Sequence, residues 1–204
     1  MTKPGLLTDN TIEQRRIAMF DGKQIYVRPL EEDDLALRVK WVNDPEIHNT
    51  LMFDYPLSLA RTTQWFRNTL MDSSKANFSI VDRAGGNVIG MTGLLDIDLK
   101  NRRAQFYITI GEKEYWGRKI ADEVIEIILR YGFTEIGLNK IYLYTLSNNE
   151  RARKVYERNG FTQEGVLREH HYCAGKLQDL HQHGILKREW ESRLTRDQRL
   201  AAAG

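Results

Sequence analysis

Two short stretches of this chain carry residue types and spacings suited to chemistry. The first is Tyr115-Trp116-Gly117-Arg118-Lys119-Ile120-Ala121, which stands between a strand-like run and a long helix-like run. A strand that turns through a glycine into a helix leaves several backbone N–H groups without intrahelical partners. The positive helix end, those amides and the side chains of Arg118 and Lys119 would converge on an anion, and a pyrophosphate is the natural guest. The second stretch runs from Ser147 to Phe161. It begins with capping residues, then puts Ala152, Val155 and Tyr156 on one helical face, so that a thin ligand arm could lie beside the Tyr156 hydroxyl. Read alone, without the upstream phosphate site, Tyr156 is better taken as a buried aromatic with a satisfied hydroxyl.

Other reactive groups are less organised. His170, His171, His181 and His183 fall on two late strand-like runs, where a pair could share a face, but the sequence supplies no third ligand and no metal is expected. Cys173 is the only cysteine. It has no base assigned to it, so direct transfer is favoured over a covalent acyl-enzyme route.

The elements that must position these residues follow from periodicity. The run Gln105 to Ile110 is aromatic and β-branched and reads as a strand. After the glycine turn, Ile120, Val124, Ile127, Ile128 and Tyr131 recur at three and four residues, one apolar face of a helix. Upstream, Lys23 to Arg28 reads as a strand ended by Pro29, and the acids Glu31 to Asp34 suit the first turn of a helix that Pro45 breaks. The segment from Asn49 to Leu59 reads as a loop whose aromatics Phe53 and Tyr55 suit substrate contact. A helix from Leu59 to Met71 is expected to bury Leu59, Trp65, Phe66 and Leu70. Strands at 78–81, 88–96 and 105–110 form an antiparallel meander. A strand at 140–146, a helix over 149–159 closed by Gly160, and strands at 161–171 and 177–187 around Ala174-Gly175 complete the pattern.

Composition excludes several classes. The chain has 204 residues with 30 Lys plus Arg against 28 Asp plus Glu, so a net charge of +2 gives no general pull on nucleic acid. One cysteine forbids an intramolecular disulfide, and no stretch approaches the roughly 18 apolar residues needed to span a bilayer. A cytoplasmic protein without membrane or nucleic-acid partners is expected, with self-association left open. The reading divides it into a polar segment over 1–20, one domain over 21–191 and a charged, then Ala-rich, flexible tail over 192–204.

In motif order and spacing, Ile25 to Arg188 resembles the GNAT superfamily of N-acetyltransferases, which pairs a glycine-containing strand-to-helix turn with an Asn-x-x-Ala-x-x-x-Tyr helix ending in Gly-Phe. The resemblance implies an α+β fold: a mixed, mostly antiparallel central sheet flanked by helices, with a C-terminal β-hairpin. It implies acetyl-CoA as co-substrate, with its pyrophosphate on Trp116, Gly117, Arg118, Lys119, Ile120 and Ala121. The backbone of Ile108, Thr109 and Ile110 would hold the pantetheine arm with Asn149 and Arg153 beside it, and Tyr156 would be the general acid. Lys119 departs from the family pattern, which usually has Gly or Ala there; its backbone can still donate if φ is negative.

Among subgroups, Trp41 to Asp44 with Trp65-Phe66 resembles enzymes acting on amino sugars attached to nucleotides. Arg102 to Phe106 and Tyr131 to Phe133 resemble the spermidine enzymes, and ribosomal-protein N-terminal acetyltransferases share the same motifs. The expected acceptor is a primary amine of a small molecule, the amino-sugar nucleotide leading, with a polyamine as the alternative and a non-catalytic CoA-binding module as the non-enzyme alternative. Asp96 and Gln105, with Phe53 and Tyr55, are the expected substrate contacts. Gln105 stands where the spermidine enzymes present an acid, so the general base is left among Asp96, Glu169 and a water chain.

Overall fold

The structure, a computed structural model, describes residues 20–52, 56–173 and 175–202. In these residues the strands β1 (Phe20–Asp21), β2 (Ile25–Pro29), β3 (Ala76–Asp82), β4 (Val88–Asp98), β5 (Arg103–Ile110), β6 (Lys140–Leu146), β7 (Thr162–Cys173) and β8 (Lys176–Leu186) form one eight-stranded sheet in the order β1-β2-β3-β4-β5-β6-β8-β7. The helices are α1 (Leu35–Val42), α2 (Pro45–His48), α3 (Leu59–Thr69), α4 (Ile120–Arg130), α5 (Glu150–Arg158) and α6 (Lys187–Ala202).

All strand pairs are antiparallel except β5 with β6, joined through α4 as a parallel crossover. That pairing covers only Arg103–Gln105 against Lys140–Tyr142. Beyond it the strands part. β5 stays paired to β4 as far as Ile110, while β6 stays paired to β8 as far as Leu146. A wedge therefore opens inside the sheet, floored by the last parallel pair.

Burial explains the layers. Val124, Ile127 and Ile128 pack with Leu94, Phe106 and Ile141 in the main core, where Tyr156 and Phe161 also lie. A second cluster, Leu35, Trp41, Ile47, Phe66 and Met91, fixes α1 to α3 on the sheet. The acidic run before α1 is structural at its last member: Asp34 is buried and accepts from both Arg28 terminal nitrogens (2.7 and 2.8 Å) and from Ser79 Oγ (2.6 Å).

Several expectations need correction. The turn after β5 is not direct: a 3-10 turn at Lys113–Tyr115 precedes Trp116, so nine residues separate strand from helix. Pro45 ends one helix but starts another, because its missing N–H costs nothing at the first helical position and the Asp44 side chain caps Glu46. In α3, Phe66 is buried, but Leu59 at its start and Leu70 just past its end are 51 and 63 % exposed, since the helix meets the core with its middle only. Helix α6 runs past 191 as far as Ala202, with Leu194 packed against the main core. Residues 1–19 and the contacts expected of Phe53 and Tyr55 lie outside the described residues.

Candidate active site

The wedge is a cavity of about 860 Å³, within the range of small-molecule sites. One wall is the edge of β5 that β6 has left, including Ile108, Thr109 and Ile110. The other is the end of β6 with the start of α5, including Asn149, Ala152 and Tyr156. Backbone groups on a strand edge without a partner strand are suited to bonding an extended, amide-containing arm.

At the outer end, Trp116, Gly117, Lys119, Ile120 and Ala121 line the cavity. Gly117 has φ +81° and a Cβ built there would meet nothing within 4 Å, so the main chain faces open space at the N-terminus of the eleven-residue α4. Lys119 immediately precedes α4 at φ +62°, not at the negative φ expected of it. This left-handed conformation is strained for a lysine, and it replaces the simple picture of a regular backbone donor at that position. Arg118 stands apart: its guanidinium lies 5.3 Å over the Tyr115 ring and its carbonyl accepts from Gln24.

Across the wedge, Asn149 lines the cavity, but its side-chain oxygen caps α5 by accepting from the Ala152 N–H at 3.0 Å. Arg153 points elsewhere, paired to Glu157 at 2.9 Å and Glu150 at 3.3 Å. The cations of α5 that do line the wedge are Arg151, Lys154 and Arg158. Their spacing of three and four residues puts them on one helical face, a signal legible in the sequence but not used. Arg151 lies 4.9 Å over the Trp116 ring, while Arg158 is held by Asp122.

Tyr156 sits at the inner end. Its ring meets Phe106 edge-on at 6.3 Å and Phe161 at 5.8 Å, and it is only 8 % exposed. Its hydroxyl carries a proton at neutral pH as any tyrosine does, and burial pushes it further above the ordinary range. Tyr107, also on the wall, donates to Asn77 Oδ1 at 2.7 Å, and burial raises it against the opposing charge of Arg38.

The remaining acceptor candidates divide. Gln105 lines the cavity beside its strand partner Leu95, whereas Asp96 does not line it. Asp96 occupies the irregularity where β4 and β5 shift register between Leu95 and Asp98, at φ 49°, and this turns it to solvent. Glu46 is the one carboxylate among the described lining residues, and Lys113 holds it at 2.7 Å. Of the histidines, His181 and His183 are 6.5 Å apart, and no group of three metal-binding side chains gathers among the described residues.

An arm-sized wedge, amides and cations at its mouth and a protonated hydroxyl at its base fit a nucleotide-linked thioester in shape and charge. Residues 24–162 match the family model for the acetyltransferase (GNAT) domain. The spermidine N(1)-acetyltransferase of Vibrio cholerae is 32% identical over 84% of this chain and 98% of its own. A putative ribosomal N-acetyltransferase, YdaF of Bacillus subtilis, is 30% identical over 83% of this chain and 95% of its own. Among solved structures, the Vibrio cholerae spermidine N-acetyltransferase in complex with CoA and spermine superposes with a TM-score of 0.78 at 30% identity, covering 83% of this chain and 99% of that one. The mixed sheet and C-terminal hairpin derived above are thus those of an established group of enzymes, and the chain belongs to the GNAT acetyltransferase family, an N-acetyltransferase that draws its acyl group from acetyl-CoA.

Proposed function

We propose that this protein acetylates the primary amine of a small molecule by direct transfer, with Tyr156 holding the proton for the departing thiol, and that a polyamine is the acceptor. The observation that carries the transfer is the position of Tyr156 on the wall of the wedge between Phe106 and Phe161, with a hydroxyl that is protonated at neutral pH. Direct transfer needs two reactants oriented together, which supplies roughly 7 to 11 kcal/mol, and a general acid adds roughly 10²- to 10⁴-fold. Trp116 to Ala121 would receive the pyrophosphate, the edge of Ile108 to Ile110 and the helix start at Asn149 the arm, and Gln105 the acceptor. One domain over 21–191 and a cytoplasmic location belong to the same reading; no described helix is long and apolar enough to cross a membrane.

The polyamine is placed ahead of the amino-sugar nucleotide because relatives named for spermidine support it. One observation favours the amino-sugar reading. The described wall carries a single carboxylate, Glu46, already paired with Lys113, together with cations that suit a diphosphate. Steady-state rates for spermidine, an amino-sugar nucleotide and an N-terminal peptide, read by thiol release from acetyl-CoA, decide between them. Spermidine should show the highest kcat/KM, falling as salt rises because a polycation is steered by charge. A higher value for the nucleotide or the peptide would replace the polyamine, and no thiol release with any amine would remove the transfer itself.

A further inference from the structure

Arg151 and Trp116 belong to opposite walls of the wedge. Trp116 follows β5, Arg151 follows β6, and these strands lose their pairing after Gln105 and Tyr142. Both residues line the cavity, and the Arg151 guanidinium lies 4.9 Å from the Trp116 ring centroid. The two walls therefore touch across the mouth of the channel. We propose that this contact is a clasp, and that Arg151 is a positioning residue that retains the acyl donor by closing the wedge over its arm.

Each half of the contact is prepared for that role. The Trp116 ring is fixed, because its Nε1–H donates to the Ile110 carbonyl at 2.9 Å and its side chain packs against the cluster under α1. The Arg151 side chain is exposed, and no ion pair among the described residues draws it elsewhere. Its neighbours are committed: Glu150 pairs with Arg153, and Arg158 with Asp122. A guanidinium stacks its plane on an indole while keeping its donors in water, which an ammonium does not reproduce. The contact is exposed enough to open for entry and strong enough to slow exit.

The inference rests on the wedge being the donor channel. The test measures dissociation of CoA and of dephospho-CoA, which lacks the 3′-phosphate, by stopped-flow displacement. Wild type is compared with Arg151→Ala, Arg151→Lys, Trp116→Leu and the Ala/Leu double variant, each checked for an unchanged melting profile. Arg151→Ala should speed release of both ligands by roughly 2- to 30-fold. Arg151→Lys should also release both faster, and Arg151→Ala should add little in the Trp116→Leu background. Arg151→Lys behaving as wild type, an effect confined to CoA, or full additivity would each overturn the clasp; the second would make Arg151 a phosphate ligand. Gly117→Val separates the underlying reading. If it leaves CoA affinity unchanged, the donor lies outside the wedge, whereas lost affinity there with no effect at Arg151 refutes the clasp alone.

Discussion

Asp122, in the first turn of α4, holds Arg158 from the last turn of α5 through two charge-assisted bonds, with Arg158 Nε donating to Oδ1 at 2.6 Å and Nη2 to Oδ2. Asn159 Nδ2 adds a third bond to the same carboxylate at 2.7 Å. Burial alone would raise the Asp122 carboxyl, but the bonds from Arg158 and Asn159 prevail and hold it below the usual range. The first turn of the helix behind the phosphate turn is thereby tied to the last turn of the helix carrying Tyr156, 36 residues apart in sequence.

Tyr156→Phe removes one oxygen and little packing, since the ring contacts with Phe106 and Phe161 remain. Melting temperature and CoA affinity should hold while kcat falls by roughly 10²- to 10⁴-fold, toward the lower end because a thiolate is a tolerable leaving group. Rates and calorimetric binding measured side by side decide it. A wild-type kcat would leave Tyr156 as packing, and lost CoA binding would make it part of the donor site.

Lys119→Gly relieves a left-handed lysine. The folded state should gain up to about 1 kcal/mol, less whatever the more flexible unfolded chain takes back. Because Lys119 lines the cavity and is exposed, CoA affinity should fall by less than about fivefold. Urea titration and calorimetry read the two effects separately, and a less stable variant would show that the left-handed turn carries no strain.

Asp34→Asn strips the charge from a carboxylate that serves Arg28, Ser79 and the Glu31 backbone. About 3 kcal/mol should be lost, the lower end for a broken buried pair because Arg28 keeps some water contact. The desolvation that would raise the Asp34 carboxyl is outweighed by these bonds, so its folded value lies below the ordinary 3.8. Its contribution is therefore complete above about pH 4 and is lost as pH falls through the depressed value. Urea melts across that window should show the wild type losing stability where Asp34→Asn does not.

His183 is fully buried on β8, and neither ring nitrogen has a hydrogen-bond partner among the described residues. Desolvation lowers its pKa below 6.5; the His181 ring and Arg153 act in the same direction, and Glu157 opposes them only in part. The unfolded chain thus binds the proton more readily, and stability should decline as pH falls below about 6.5 toward the folded value. His183→Leu should flatten that decline in thermal melts between pH 5 and 7, with wild-type behaviour at pH 8. An unchanged acid limb would assign it to other groups.

The sequence by itself determined the strand and helix pattern and the order of the two motifs. Apolar spacing of two or of three and four residues, together with Pro, Gly and capping side chains, acts locally, and nothing distant in the fold overrides it for α4, β6 or α5. The glycine at 117 and the aromatic at 156 were legible for the same reason. Only the tertiary structure decided where the parallel pairing stops, because that depends on β5 and β6 meeting across 37 residues of chain. From that event follows the wedge; Asp96 is turned out by the separate register shift between β4 and β5, and the placement of the α5 cations by the helix that carries them. Arg153 and Arg151 are alike in type and only two positions apart, yet a helix sends them to different sides. The left-handed Lys119 was equally illegible, since a residue's own preference opposes that conformation and only the surrounding turn imposes it.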